Sequence, residues 1–171
     1  MDAKKNLQII ENLGLGIISY IDKVNQESVV TGIKSLICNP FFKNGYNLLI
    51  DLRNSVIKMN SEEIQVLSDF VYENLKETGI KKFAILASAI QTYKVVEFIH
   101  YNRESRRYRA FSSVTAALTW LGIPIEKRPQ AEIKLAYLNE NFLYNQLNSQ
   151  LQLNYLNKRV NYLYKNEYCR V

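Results

Sequence analysis

Two kinds of hydrophobic spacing alternate along residues 1–128, and this limits the fold more than any other feature of the chain. Nearly continuous apolar runs at Asn47-Leu-Leu-Ile-Asp-Leu52 and Lys82-Phe-Ala-Ile-Leu-Ala87 have the length and density of strands buried on both faces. Between and around them the spacing is helical. Val29, Val30, Ile33, Leu36 and Ile37 share one face after an N-cap at Asn25, with Pro40 just beyond the end. Asn60-Ser-Glu-Glu63 opens a second helix that carries Ile64, Leu67, Val71 and Leu75 inward and closes at Gly79. A third helix runs from Gln91 to about Tyr101, and a last one from Ser113 to Leu121, ahead of Gly122 and Pro124. Leu7–Ile10 and Leu15–Ile21 read as a hairpin around Asn12-Leu-Gly14, and Arg107–Phe111 as a short charged strand. The order ββαβαβαβα predicts an α/β fold: a mixed, mainly parallel four- to five-stranded sheet with helices packed on it, its opening hairpin forming an antiparallel edge.

Residues 129–171 are a different kind of sequence. Every Pro and Gly lies at or before residue 129, and Leu135, Leu138, Phe142, Leu147, Leu151, Leu156, Val160 and Leu163 then recur at helical spacings with slips of phase. The division expected is an α/β domain over 1–128 and an amphipathic helical extension over 129–171. One such helix cannot bury its own stripe, so it lies on the domain, folds back, or packs against another subunit. Its six tyrosines and uncharged Asn/Gln face suit a subunit interface better than a membrane surface.

Composition narrows the partners. Of 171 residues, 47% are hydrophobic and 22% charged, the balance of a globular chain rather than a disordered one. No apolar run approaches the roughly 20 residues needed to cross a bilayer, so stable membrane insertion is not expected. The start, MDAKKNLQII, lacks the apolar core and cleavage site of a secretory signal, and the expected location is cytoplasmic. The net charge of +6 is spread evenly along the chain, so no nucleic-acid partner is expected.

Chemistry-bearing residues are sparse. One histidine, His100, and two distant cysteines, Cys38 and Cys169, do not make a zinc set, and no metal or cofactor is expected. Cys38, at a helix end, is expected to pack as a small hydrophobe. No glycine-rich phosphate loop occurs, and no nucleophile, base and orienting acid can be grouped, so catalytic residues are none. Asp51 and Arg53 at a strand end are read as a structural pair. Arg103, Arg106, Arg107 and Arg109 are the one local concentration of charge. They protect a sheet edge or contact an anion or acidic partner, with Arg107 and Arg109 on one strand face and Arg106 and Tyr108 on the other. Phe41, Phe42, Tyr46, Tyr93, Phe98 and Trp120 are the bulky candidates for the walls of an apolar pocket, core packing being the ordinary alternative.

The chain resembles a known family at GIISYID (16–22), Asn39-Pro-Phe-Phe42, Leu49-Ile-Asp-Leu-Arg53, Asn60-Ser-Glu-Glu-Ile64, Lys82-Phe-Ala-Ile-Leu86, and Phe111 followed by Ala116-Ala-Leu-Thr-Trp-Leu121. In order and spacing, over about residues 7–123, these are similar to the STAS-like (SpoIIAA-like, anti-sigma-factor-antagonist-like) domains, relatives of the SEC14-type lipid-binding fold. The resemblance implies a sheet covered by helices on one side and a non-enzymatic regulatory or protein-interaction role. It also places Ser61, beside Asn60, in the slot of the family's phosphorylatable serine. Glu62 and Glu63 depart from that motif, and Asn60 with Glu63 equally makes a capping box. The function expected is a non-enzymatic interaction module, oligomeric through its C-terminal helix. The alternative is a small-ligand or lipid carrier with an apolar pocket between helices and sheet.

Overall fold

The computed structural model describes residues 4–102 and 105–140. Strands β1 (Lys4–Ile10) and β2 (Leu15–Val24) form the expected antiparallel hairpin, joined by one 3-10 turn over Glu11–Leu13. Strands β3 (Asn47–Ile57), β4 (Phe83–Leu86) and β5 (Tyr108–Phe111) add in parallel, giving the order β1-β2-β3-β4-β5. The strand order never reverses. Right-handed crossovers that always advance in one direction put their helices on one face. Accordingly α1 (Gln26–Ile37), α2 (Ser61–Thr78) and α3 (Thr92–Tyr101) all pack there.

The pleat divides the sheet between two cores. Ile18, Tyr20, Leu48, Ile50, Leu52, Phe83, Ile85 and Tyr108 face the three crossover helices, meeting Ile33, Leu67, Val71 and Phe98. Leu15, Ile17, Leu49, Ala84 and Leu86 face the other way. That second face is covered by α4 (Val114–Leu121) and by a helix over residues 128–140, here α5. Ala117, Leu118 and Leu121 of α4 and Ala131, Leu135 and Leu138 of α5 close the second core. Polar contacts fasten α5 to the hairpin: Asn6 Nδ2 donates to the Leu138 carbonyl at 3.0 Å, and the Asn12 and Gln130 amides exchange bonds of 2.9 and 3.2 Å. Helices therefore cover both sides of the sheet, where the family resemblance implied one. The sheet and α5 up to Leu138 belong to one unit of the chain. Five of the extension's six tyrosines, Cys169 and the self-association expected of that region lie beyond residue 140, outside the described residues.

Local sequence explains most element ends. Asn25 and Ser28 form a reciprocal capping box at α1, and Asn60 and Glu63 form one at α2. Gly79 and Gly122, both left-handed, end α2 and α4. Two ends differ from the sequence reading. β3 continues five residues past Leu52, and β5 begins only at Tyr108, because Arg106 and Arg107 sit in a 3-10 turn (Ser105–Arg107). The face alternation expected from Arg106 to Arg109 therefore applies only from Tyr108 onward.

Helix α1 lies close on β2 because Gly32 leaves room for the Tyr20 ring. The buried Tyr20 hydroxyl donates toward the Ser28 and Val29 carbonyls at 3.2 and 3.4 Å, and a Cβ on Gly32 would overlap that oxygen. Gly32→Ala should cost about 1–3 kcal/mol in urea unfolding. Adding Tyr20→Phe should recover part of the loss, and strict additivity of the two changes would mean the contact does not couple them. Burial also pushes the Tyr20 phenol far above its ordinary 10.0, so the unfolded chain ionises first. Its contribution is intact below pH 10 and declines as pH rises further. Tyr20→Phe should flatten that alkaline decline in a pH series of melting curves.

Candidate functional site

The carboxyl end of the parallel sheet is irregular, and the irregularity starts in β3. Ser19 pairs with Asp51, but Ile21 pairs with Asn54, so Leu52 and Arg53 together oppose Tyr20 alone. This is a β-bulge, uncommon in a parallel pair. The extra residue has a main-chain N–H with no place in the ladder. Asp51 accepts it at 3.1 Å through Oδ1. The same carboxylate holds the Arg53 side chain in a two-pronged pair, Nε to Oδ1 at 2.9 Å and Nη2 to Oδ2 at 2.8 Å. Asp51 is 1% exposed and the Arg53 side chain 32% exposed, so the pair is anchored at its acid and open at its base. That hydrogen bond raises the guanidinium pKa against the opposing effect of burial.

β4 stops at Leu86, the partner of Asp51, while β3 runs on to Ile57. Gln91, buried just ahead of α3, occupies part of the space that β4 leaves. Its Nε2 donates to the Leu52 carbonyl at 2.8 Å and also to the Ser55 carbonyl. Its Oε1 accepts from the Ser88 amide at 2.8 Å and the Ser88 hydroxyl at 2.7 Å. Outside this plug lies an open cleft of about 320 Å³, walled by β3 from Arg53 to Ile57, by Ser88 and Ile90, and by Gln91 and Lys94. Arg53 and Lys94 line it and no carboxylate does. Lys94 is paired outside the cleft, with Glu97 at 3.7 Å. Two of its apolar wall residues are left in solvent, Ile90 93% exposed and Val56 52%. Tyr93, 72% exposed, lies with its ring 5.8 Å from Lys94 Nζ.

The residues singled out from sequence are placed as follows. Asn60 Oδ1 accepts the Glu63 amide at 2.9 Å and Glu63 Oε2 accepts the Asn60 amide at 2.8 Å, so a carboxylate already occupies the α2 start; Ser61 is exposed beside it. Arg103 lies outside the described residues. Arg106, Arg107 and Arg109 are exposed at the β5 edge of the sheet, and the Arg109 guanidinium lies 5.9 Å from the Trp120 ring centre. The six bulky candidates are not brought together. Phe42 and Tyr46 stack edge-on at 5.5 Å over the hairpin turn, and Phe41 is exposed. Phe98 is in the first core, while Trp120 packs against Phe111 on the other face. Tyr93 is exposed in the first turn of α3, its ring 5.8 Å from Lys94 Nζ.

The apolar cavity beneath α2 and α3, lined by Phe98 among others, holds about 40 Å³. Ligand pockets run to roughly 300–1,000 Å³. Cys38 is exposed rather than packed, since it falls past the last inward turn of α1. His100 is exposed in the last turn of α3, its ring 6.1 Å from that of Tyr101. Among the described residues no cluster of His, Cys, Asp or Glu could hold a metal ion, and no helix is long and apolar enough to cross a membrane. The cleft residues Val56, Ser88, Ile90, Gln91 and Lys94 were missed in the sequence. Ile90, an apolar residue in a loop directly before a helix, was the one legible signal.

The strand order and the two packed faces define a singly wound α/β domain with an open cationic cleft at the carboxyl end of its central strands. No protein-family model matches the chain, and no curated protein matches it. Among solved structures, it is similar to an uncharacterized protein from the DUF3478 family with a SpoIIAA-like fold, from Shewanella loihica. The TM-score is 0.45 at 12% identity, over 70% of this chain and 94% of that one.

The Asp51–Arg53 pair holds the bulge, so its removal should be felt in stability. Arg53→Ala takes the guanidinium away from a buried carboxylate and should cost about 3 kcal/mol in urea unfolding. Arg53→Lys keeps the charge but loses the fork, and should fall between. A loss under about 0.5 kcal/mol for Arg53→Ala, the range of an ordinary surface change, would mean that the pair does not hold the bulge.

Proposed function

We propose that this chain is a non-enzymatic regulatory or interaction module of the cytoplasm. It docks a protein partner at the carboxyl end of the sheet and self-associates through its C-terminal helical segment. The observation that carries this reading is the pair of exposed apolar side chains, Ile90 and Val56, in the walls of a cleft with two cations, with the exposed Tyr93 ring beside Lys94. Exposed apolar groups rimmed by charge are a common mark of interaction sites. The polar groups in the cleft are committed to structure: the Ser88 hydroxyl donates to Gln91, and neither a histidine nor an acid lines the walls. General acid–base work needs such groups within hydrogen-bonding reach.

Two measurements test this. A photo-crosslinking residue placed at Tyr93 in living cells should capture a discrete protein adduct. The same residue at Val66, 54% exposed on α2, should not. Native mass spectrometry of the full chain should give a dimer or larger assembly without retained mass. A monomer carrying a small molecule would favour the ligand carrier, and a bare monomer with no adduct at position 93 would end the proposal. Ile90→Asp should reduce capture at position 93 while changing stability by less than about 0.5 kcal/mol.

A further inference from the structure

Resting on that reading of the cleft as a docking surface, we propose that the partner enters it as an extended peptide strand. About two or three residues continue the place that β4 vacates, pair with the free edge of β3 at Ser55–Ile57, and set an acidic side chain against Arg53 and Lys94.

Main-chain directions carry the argument. At the start of β3 the Asn47 amide bonds to Gly14 of the hairpin and the Leu48 amide to the Lys82 carbonyl, so odd-numbered residues point to β2 and even-numbered ones to β4. After the bulge this parity inverts, because the Lys58 amide bonds to the Val24 carbonyl of β2. Ser55 and Ile57 therefore turn their peptide groups away from β2, toward the side where β4 has already ended. Gln91 satisfies the Ser55 carbonyl. The Ser55 amide and both main-chain groups of Ile57 face the cleft with no strand beside them. Unpaired edge groups of this kind are a template for an added strand.

The walls specify the visitor's chemistry. Each cation is already paired, Arg53 with Asp51 and Lys94 with Glu97, so the cleft has little surplus charge for a free phosphate. The guanidinium N–H groups not used by Asp51 still present donors, which suit one carboxylate delivered on a chain that also satisfies the edge. Val56 and Ile90 suit apolar residues beside that acid. The favoured sequence is an acidic residue between β-branched ones.

The test titrates the isotope-labelled full chain with acetyl-Val-Glu-Val-Thr-amide, followed by NMR. The amide signals of Ser55 and Ile57 should shift and gain protection from exchange. N-methylating the peptide at alternate amides, in both registers, should weaken binding about tenfold in one register, as loss of strand hydrogen bonds demands. Lys94→Glu, or Lys in place of the peptide's Glu, should weaken it by a similar factor. Equal binding of both N-methylated peptides would overturn the strand pairing, as would sodium phosphate reproducing the same shifts. Shifts confined to Ile90 and Tyr93 would overturn it too, while leaving the docking surface standing. No shift with the Glu peptide would also overturn it, and the crosslinking at Tyr93 separately decides the broader reading.

Discussion

Central strand β3 has to be buried on both faces and paired on both edges, and the rest of the domain follows from that. Leu48 to Leu52 are all under 8% exposed, with side chains alternating between the two cores. Peptide groups at that depth need ladder partners, since an unsatisfied one costs about 1–3 kcal/mol. β4 supplies them only as far as Asp51, opposite Leu86, and β2 breaks register after Asp51 and resumes at Asn54. Past that point the domain makes three substitutions: a bulge at Arg53, a carboxylate that caps the bulge, and a glutamine side chain in place of a strand.

Those substitutions explain why the cleft lies where it does. Doubly wound sheets hold ligands where the strand order reverses and the flanking helices part. This sheet never reverses, and its three crossover helices pack side by side on one face. The cleft arises from unequal strand lengths, with β3 at eleven residues against four in β4. Its walls are thus an edge and a loop rather than a pocket between layers. The 40 Å³ apolar cavity between helices and sheet is what side-chain packing leaves behind.

Much of the fold was legible. Buried strands at 47–52 and 82–87 announced themselves as unbroken apolar runs, and the capping signals at Asn25, Asn60, Gly79 and Gly122 fell at real helix ends. Little of the candidate site was. Arg53 and Asn54 interrupt the apolar run of β3, so its last five residues looked like a loop. The bulge then changes which backbone groups point outward, and no residue type encodes that parity. Gln91 reads as a polar residue near a helix start. Its part in completing a strand depends on β3 lying beside it, 39 positions earlier in the chain.

The sequence by itself determined the alternation of strands and helices, the caps, and the crossover handedness that follows from L-residues. These are local properties, set by neighbours within a few positions. Tertiary structure alone decided that helices cover both faces, because α4 and α5 must find the apolar side of β2, β3 and β4 that the crossover helices leave bare. It also decided that Ile90 and Val56 meet around two cations. Those residues come from different segments, and only the sheet's register brings them to one pole of the domain.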